Sequence, residues 1–225
     1  MKRIVIAIDG PVGSGKGTLS VALAKKLNIL YLYTGGMYRA LALACLSAGV
    51  NLDNEEEVLK ILKNSKIEPY VNAGETRIFL NGDDVTSEIV QPRVSNSTPY
   101  VARLPKIREE MVKRQKALVE GKSAVIEGRD IASKVAPDAN LKIHLTAAVE
   151  ARARRRLRQY DEEGISKTID EVVTETKERD KKDIEREASP LEISPDAVVV
   201  DTTTDTVNET LEKVIQIIKE KHLYD

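Results

Sequence analysis

The sequence predicts an α/β fold built around a parallel sheet, and three largely apolar stretches are the basis for this prediction. Residues 4–8, 123–126 and 141–145 each have the length of a strand and no helical period, which is typical of strands buried on both faces. The first stretch is followed by a glycine-rich turn and then by apolar residues at helical spacing in residues 19–27. Strand, loop and helix therefore follow one another near the start of the chain.

Composition limits the classes of protein to which the chain can belong. Its 225 residues suffice for one sizeable core, or for a core with a small inserted domain. With 41% hydrophobic residues, 32% charged residues and a net charge of -1, bulk charge favours neither nucleic acid nor a membrane surface as a partner. No apolar run approaches the length of a membrane span.

Few side chains are available for redox or metal chemistry. Cys45 is the single cysteine, which excludes an intrachain disulfide and agrees with a reducing cytoplasm. His144 and His222 are the only histidines, so neither a histidine metal site nor a Ser-His-Asp triad is expected. The sequence therefore predicts a cytoplasmic protein with no metal site made by its own side chains.

The loop after the first strand matches the pattern Gly-x-x-x-x-Gly-Lys at residues 10–16. In such loops backbone N–H groups surround phosphate oxygens, and the lysine, here Lys16, reaches the outer phosphates from the helix N-terminus. Gly17 stands where many such loops have a hydroxyl ligand for Mg²⁺, and Thr18 comes one place later. A plain strand-to-helix connection is the alternative, but the flanking strand and helix favour phosphate binding. The candidate phosphate-binding residues of this loop and of the helix start are Gly10, Pro11, Val12, Gly13, Ser14, Gly15, Lys16, Gly17 and Thr18.

The next strand and helix suggest a second anion site. Residues 29–33 predict a short buried strand, and Thr34 is expected to cap a helix that continues to Gly49. A hydroxyl, two glycines, Tyr38 and Arg39 stand at the start of this helix, where they could hold an anionic ligand facing the phosphate loop. The alternative, a capped helix with Arg39 on a solvated face, stays open.

Residues 51–100 have a different character and predict an inserted lobe. The expected elements are a short charged helix at residues 55–63 and small strands at residues 67–71, 77–80 and 84–85. The Asn-Gly pair at residues 81–82 favours a hairpin turn. A helical stretch at residues 104–120 follows, with Arg108 near its beginning.

Charged residues directly follow the second buried stretch. Glu127, Gly128, Arg129 and Asp130 come at the carboxyl end of a predicted central strand, which is the edge where parallel sheets bind their ligands. The alternative is a tight turn that carries a surface ion pair.

Two predicted helices are strongly charged: one contains five arginines within residues 152–158, and the next ends with the charged run at residues 177–186. Arginines at consecutive helical positions cannot all point the same way, so some of them must lie on solvated surface. Arg179, Asp183 and Arg186 share one helical face because they are spaced four and three residues apart. The remaining predicted elements are a strand at residues 197–201 and an amphipathic helix at residues 207–218.

The phosphate loop and the segments at residues 34–39, 128–130 and 177–180 together resemble the bacterial cytidylate kinases in order and spacing over essentially the whole chain. The resemblance implies a three-layer P-loop kinase core with a central parallel sheet, an inserted NMP-binding lobe and a helical lid. The implied domains are the core at residues 1–50 and 101–225, the lobe at residues 51–100 and the lid at about residues 152–187.

This resemblance also implies an activity. A member of the family acts as a monomer and transfers the terminal phosphoryl group of ATP, bound with Mg²⁺, to CMP or dCMP in pyrimidine nucleotide metabolism. The residues expected to stabilise the transferring group electrostatically are Lys16, Arg129, Arg152 and Arg155. The residues expected to bind the acceptor are Thr34, Tyr38, Arg39, Arg108, Arg129, Asp130, Arg179, Asp183 and Arg186.

Within the acceptor set the resemblance separates two tasks. Arg39 and Arg129, supported by Arg179, would grip the CMP phosphate, while Arg108 and Asp130 would contact the cytosine edge. Family members usually have a serine near the base, where the alignment places a proline at residue 99.

Three other functions are less consistent with the sequence. Another small-molecule P-loop kinase would lack the Arg-Asp pair that follows the central strand. A GTPase would need an Asn-Lys-x-Asp motif, which the chain does not contain. An RNA-binding module would need aromatic residues among the arginines, and only Tyr160 lies near them.

Overall fold

The computed structural model describes residues 3–72 and 75–223 and contains both α-helices and β-strands. Its strands are β1 (Val5–Asp9), β2 (Leu30–Tyr33), β3 (Ile67–Asn72), β4 (Glu75–Leu80), β5 (Asp83–Asp84), β6 (Ala124–Gly128), β7 (Leu141–Thr146) and β8 (Val198–Asp201). Its helices are α1 (Lys16–Leu27), α2 (Thr34–Ala48), α3 (Glu55–Asn64), α4 (Pro92–Ala102), α5 (Pro105–Val119), α6 (Val149–Glu162), α7 (Ile169–Glu185) and α8 (Val207–Glu220).

The central sheet is parallel and has the strand order β2-β6-β1-β7-β8. Residues at the carboxyl ends of neighbouring strands stand side by side: Asp9 is opposite Gly128 and His144, and Tyr33 is opposite Glu127. The three apolar stretches all contribute strands to this sheet, so the α/β prediction is confirmed. Because the strands run in the same direction, the charged residues that follow them converge at one edge.

Helices cover both faces of the sheet and make a three-layer core. Ile6 and Ile8 of β1 belong to a buried cluster with residues of α1 and α8. Val5 and Ala7 belong to a second cluster with residues of α2 and α5. Since successive side chains of a strand point to opposite faces, the apolar run of β1 serves both layers.

Residues 55–72 and 75–102 contain helix α3, an antiparallel sheet of β3, β4 and β5, and helix α4. The predicted hairpin turn is present, with positive φ angles of 56° at Asn81 and 98° at Gly82. Val58 and Ile78 of this region share a buried cluster with residues of α2. The division of the chain at residues 51 and 100 stays a prediction.

Three local expectations were wrong. Thr34 does not cap α2: it is the first residue of the helix, and its Oγ1 donates to the backbone oxygen of Glu127 at 2.6 Å. Helix α4 was not predicted: its residues were assigned to the inserted lobe without a second helix, and Pro99 lies in its interior. The turn expected to begin at Tyr160 begins later, because α6 continues to Glu162.

Helices α6 and α7 pack against each other and span most of the predicted lid. Tyr160 connects them, because its hydroxyl accepts from Arg156 at 2.8 Å and donates to Glu175 at 3.1 Å. Helix α7 begins with a capping box in which Thr168 and Glu171 satisfy each other's backbone N–H groups. Among the helices of residues 3–72 and 75–223, none combines the length and the apolar composition of a transmembrane segment.

Candidate active site

A cleft of about 790 Å³ opens beside the carboxyl ends of β2 and β6 and the N-terminus of α1. The predicted site residues that line it are Val12, Gly13, Gly15, Lys16, Gly17, Thr18, Thr34, Tyr38, Arg39, Arg108, Arg129, Asp130, Arg179, Asp183 and Arg186. The predicted site residues outside its lining are Gly10, Pro11, Ser14, Arg152 and Arg155. Residues far apart in sequence are thus brought to one cavity.

The glycine-rich loop packs so closely against β7 that a side chain cannot fit at its first position. A Cβ atom on Gly10 would lie 2.2 Å from the backbone oxygen of Leu145, and the φ angle of Gly10 is 148°. Gly13 and Gly15 also have positive φ angles, of 74° and 89°, which L-residues rarely adopt. Gly15 precedes the first turn of α1, so the free N–H groups of that turn adjoin the cleft.

Lys16 and Glu127 place opposite charges in the buried floor of the cleft, where both side chains are less than a tenth exposed. The Nζ of Lys16 donates to the backbone oxygen of Pro11 at 2.6 Å. Burial, together with the nearby positive charge of Arg129, lowers the pKa of Lys16, while Glu127 opposes this change. Burial likewise raises the pKa of Glu127, whose Oε2 has no hydrogen-bond partner among the described residues. The floor of the cleft therefore contains a carboxylate oxygen of Glu127 that accepts no hydrogen bond from the described residues, and it also contains the ammonium group of Lys16, which is removed from water.

Asp183 on α7 is surrounded by three arginines. Its Oδ2 accepts from Nε of Arg129 at 2.8 Å. The carboxylate also lies 3.9 Å from Nε of Arg179 and 3.9 Å from Nη1 of Arg186. Burial alone would raise the pKa of Asp183, but Arg129, Arg179 and Arg186 together hold this pKa below its ordinary value. The predicted common face of residues 179, 183 and 186 is confirmed, and it points its positive charge toward the cleft.

Arg108 and Asp130 form a second buried ion pair, in which Nη2 of Arg108 donates to Oδ2 of Asp130. Nη1 of Arg108 donates to Ala102 at 2.8 Å, and its guanidinium carbon lies 5.3 Å from the centre of the Tyr38 ring. A surface ion pair was the alternative for the turn after β6, and the structure excludes it, because Asp130 is buried and Arg129 pairs with Asp183.

Arg39 lies in the cleft, so the alternative of a solvated helix face is wrong. Its Nη1 donates to the backbone oxygen of Ile89 at 2.9 Å and to Oγ of Ser95 at 2.5 Å. These bonds connect the start of α2 to α4 and to the segment before it.

Arg152 and Arg155 contact the phosphate loop from outside the cleft. Nη1 of Arg152 donates to Val12 at 3.1 Å, and its Nη2 lies 2.7 Å from Oδ2 of Asp180. Nη1 of Arg155 donates to Gly13 at 3.4 Å. Both arginines bind loop carbonyls, and their contact with a transferring group stays a prediction.

One carboxylate beside the site has a structural role that the sequence did not reveal. Asp9 accepts from the backbone N–H groups of Ile131 at 2.9 Å and Ala132 at 2.8 Å, which fixes the π-helical turn after β6. Burial raises the pKa of Asp9 to about 6. Asp9 stands at the carboxyl end of β1 beside a glycine, and that placement was the available indication.

Comparison with known proteins gives a consistent result. A family model described as cytidylate kinase matches residues 6–220. A cytidylate kinase of Caldicellulosiruptor saccharolyticus is 42% identical over 217 residues, which cover 96% of this chain and 96% of that protein. One of Geobacillus kaustophilus is 42% identical over 220 residues, covering 98% of each chain. The crystal structure of an uncharacterized protein from Eubacterium ventriosum covers 96% of this chain and 99% of its own, with a TM-score of 0.51 and 16% identity, and supports the fold alone.

Proposed function

The chain belongs to the cytidylate kinase family, and we infer that it transfers the terminal phosphoryl group of ATP to CMP and dCMP in pyrimidine nucleotide metabolism. The observation that carries this inference is the cleft itself. Its lining includes a glycine-rich loop at a helix N-terminus together with Arg39, Arg129 and Arg179. Two phosphate groups could therefore be held in one cavity, as phosphoryl transfer between nucleotides requires.

We propose that the phosphate loop binds ATP. The N–H groups at the start of α1 and the loop glycines would bind the phosphate oxygens, because an anion is stabilised by the positive end of the helix dipole. Lys16 is buried within reach of the same region and would exchange its bond to Pro11 for a bond to a phosphate oxygen. Binding a polyanion would also restore the pKa that burial lowers.

The acceptor phosphate is proposed to bind between Arg39, Arg129 and Arg179. Two of these arginines are already oriented by contacts with other groups, since Arg129 donates to Asp183 and Arg39 donates to Ser95. Nε of Arg179 is buried and makes no hydrogen bond among the described residues. A phosphate dianion would supply the missing acceptor, and guanidinium groups match its geometry well.

The cytosine base is proposed to lie against Arg108 and Asp130. Cytosine offers an amino donor next to two acceptors, so a carboxylate and a guanidinium complement its edge. Arg186 and Asp183 line the same cleft and would lie near the ribose or the phosphates, with Tyr38 and Thr34 on the wall formed by α2. The ion pair between Arg108 and Asp130 fixes both groups before a nucleotide arrives.

Mg²⁺ is proposed to enter with ATP, held chiefly by phosphate oxygens. The residues present fit a cation of this kind, because Oε2 of Glu127 is a hard oxygen ligand without a hydrogen-bond donor. Glu127 and Thr18 line the cleft near Lys16 and would hold the ion or its water ligands. When bound, the metal would neutralise charge on the outer phosphates.

The reaction needs little covalent chemistry from the protein. Lys16 and Arg129 would stabilise the negative charge that spreads over the transferring phosphoryl group, and no general base is required. Arg152 and Arg155 would contribute if closure of α6 and α7 transferred them from loop carbonyls to phosphate oxygens. Closure would also exclude water and so suppress hydrolysis of ATP.

We also propose that the enzyme is a cytoplasmic monomer that binds neither nucleic acid nor membranes. In support, the phosphate loop, the arginines and the Arg108–Asp130 pair of the cleft all come from one chain. Sedimentation velocity over a hundredfold range of protein concentration tests the monomer, which should show the coefficient of a 24.9 kDa particle at every concentration. A larger coefficient, or one that rises with concentration, would indicate a dimer.

The function is tested by coupled measurement of ADP release from ATP with CMP, dCMP, UMP, AMP and shikimate as acceptors. We expect rapid release with CMP and dCMP, and no release above the ATP-only rate with AMP or shikimate. Preference for shikimate would assign the chain to another group of small-molecule kinases. Preference for AMP would contradict the proposed base site.

A further inference from the structure

Helix α4 contains a proline in its interior, and this proline changes the hydrogen bonding of the preceding turn. Pro99 has no N–H, so it cannot donate to the backbone oxygen of Ser95, four residues earlier. The oxygen of Ser95 accepts from a side chain instead: Nη1 of Arg179, on α7, donates to it at 3.1 Å. The proline therefore leaves a helical carbonyl available to a lid arginine.

The side chain of Ser95 binds a second arginine. Its Oγ accepts from Nη1 of Arg39 at 2.5 Å and donates to the backbone oxygen of Val90 at 2.9 Å. Because the hydroxyl proton is used for Val90, the lone pairs of the oxygen are directed to the guanidinium. Ser95 thus touches an arginine from α2 through its side chain and an arginine from α7 through its backbone.

We propose that Ser95 is a positioning residue for the acceptor phosphate site, and that Pro99 provides the carbonyl through which it acts on Arg179. This proposal rests on the proposed function, in which Arg39 and Arg179 bind the phosphate of CMP. Ser95 itself need not touch the substrate. Its effect is to fix two long, flexible side chains in the cleft before the nucleotide binds.

The physical benefit is a smaller entropic cost of binding. An arginine that is free to move loses up to about 2 kcal/mol of side-chain entropy when a ligand immobilises it. Both hydrogen bonds of Arg39 leave from Nη1, so Nε and Nη2 remain for an anion. Arg179 likewise uses Nη1 for Ser95 and keeps its buried Nε without a hydrogen bond among the described residues. The arginines are held in place and retain donors for the phosphate.

Ser95→Ala tests the contact with Arg39, because it removes the hydroxyl and keeps the carbonyl. We expect the KM for CMP to rise about five- to tenfold, the size expected for one charge-assisted hydrogen bond. The KM for ATP should stay at the wild-type value, and kcat should change by less than about twofold. Ser95→Thr retains the hydroxyl and should restore the KM for CMP.

Pro99→Ala tests the contact with Arg179 without removing any hydrogen-bonding group. The new N–H would compete with Arg179 for the Ser95 carbonyl, and we expect the KM for CMP to rise about threefold. Pro92→Ala is the matched control, because Pro92 is the first residue of α4 and an N–H there competes for no carbonyl within the helix. Pro99→Ala completes a helical hydrogen bond, so loss of folding is not expected.

Double-mutant cycles separate positioning from a general structural effect. In an Arg39→Met background Ser95→Ala should have no further effect, and in an Arg179→Met background Pro99→Ala should have none. Pro99 lines the cleft, so a direct contact with the base is the competing explanation. A contact with the base would change the ratio of kcat/KM for CMP and UMP, whereas a phosphate effect should lower both equally.

The outcomes distinguish this proposal from the proposed function. If the wild-type protein releases no ADP with CMP, the proposed function fails. If the wild-type protein phosphorylates CMP, a wild-type KM for CMP in Ser95→Ala overturns the positioning role. The positioning role would also be overturned if Ser95→Ala raised the KM for CMP as much in the Arg39→Met background as in the wild type. The same holds for Pro99→Ala in the Arg179→Met background.

Discussion

Nη2 of Arg108 donates to Oδ2 of Asp130, and both side chains are buried beside the cleft. Arg108 is fixed further by its bond to Ala102. Within residues 3–72 and 75–223, Oδ1 of Asp130 makes no hydrogen bond. The pair therefore holds one carboxylate oxygen rigidly and leaves the other for a ligand that donates.

Asp130→Asn should change the choice of base. Cytosine presents an amino donor where uracil presents a carbonyl, so a carboxylate accepts from the first and repels the second. We expect kcat/KM for CMP to fall about 100-fold and that for UMP to fall much less or to rise. Because Arg108 loses a buried charge partner, the free energy of unfolding should also fall. The decisive quantity is the ratio of kcat/KM for CMP to kcat/KM for UMP, because lower stability reduces both rates alike. An unchanged ratio would exclude Asp130 from base recognition.

Lys16→Met should slow the reaction strongly without unfolding the protein. Methionine fills a similar volume and removes the cost of burying the ammonium group, and Arg129 remains as a positive charge near Glu127, so the urea midpoint should stay near the wild-type value. Loss of one preorganised positive group should lower kcat about 100- to 1,000-fold. Rate and unfolding should be measured on the same preparation. A variant that keeps a near-normal rate would remove Lys16 from the mechanism.

Asp9→Asn should change the pH dependence of stability. Burial raises the pKa of Asp9 to about 6, so the folded state binds a proton that the unfolded state releases between about pH 4 and pH 6. The stabilisation that this proton contributes is fully present below the ordinary pKa of an aspartate, and it is lost as the pH rises through about 6. The advantage of the wild type over Asp9→Asn should therefore shrink by about 2 kcal/mol between pH 4.5 and pH 7.5.

Urea unfolding of both proteins at several pH values measures this difference. Asparagine cannot accept both backbone bonds of the π-helical turn, which adds a cost that does not vary with pH. A difference between the two proteins that is the same at every pH would show that Asp9 has no raised pKa.

Gly10→Ala should be severely destabilising. Its Cβ would lie 2.2 Å from the backbone oxygen of Leu145, so the loop or β7 would have to shift. We expect a loss of more than about 3 kcal/mol in the free energy of unfolding. Gly49→Ala is the matched control, because Gly49 also has a positive φ, of 66°, but a Cβ there meets nothing within 4 Å. This control should cost about 1 kcal/mol, and equal losses at the two positions would contradict the packing of the loop against β7.

Features that depend only on short segments of the sequence could be predicted. The apolar runs of β1, β6 and β7 indicate burial on both faces, and the glycine spacing of the phosphate loop reflects a local backbone requirement. The common face of Arg179, Asp183 and Arg186 follows from helix geometry alone.

Features that depend on tertiary contacts could not be predicted. The partner of Arg129 is 54 residues away, and the partner of Arg108 is 22 residues away, so neighbouring charges gave no guide to the pairing. Helix α4 forms despite two prolines, because Pro92 occupies its first turn and the carbonyl that Pro99 leaves free is satisfied by Arg179. Thr34 was expected to cap α2 because it precedes a helical run. Its hydroxyl instead bonds to Glu127 on another strand, which the local sequence does not indicate.

Separation of the nucleotides formed from ATP and CMP tests the central claim most directly. After incubation with Mg²⁺, anion-exchange chromatography should show ADP and CDP in equal amounts, and incubation of ADP with CDP should regenerate ATP and CMP. Omission of CMP should leave ATP essentially intact, because the proposed closure of α6 and α7 would exclude water from the cleft. Formation of ADP without CDP, at the same rate with and without CMP, would contradict the assignment.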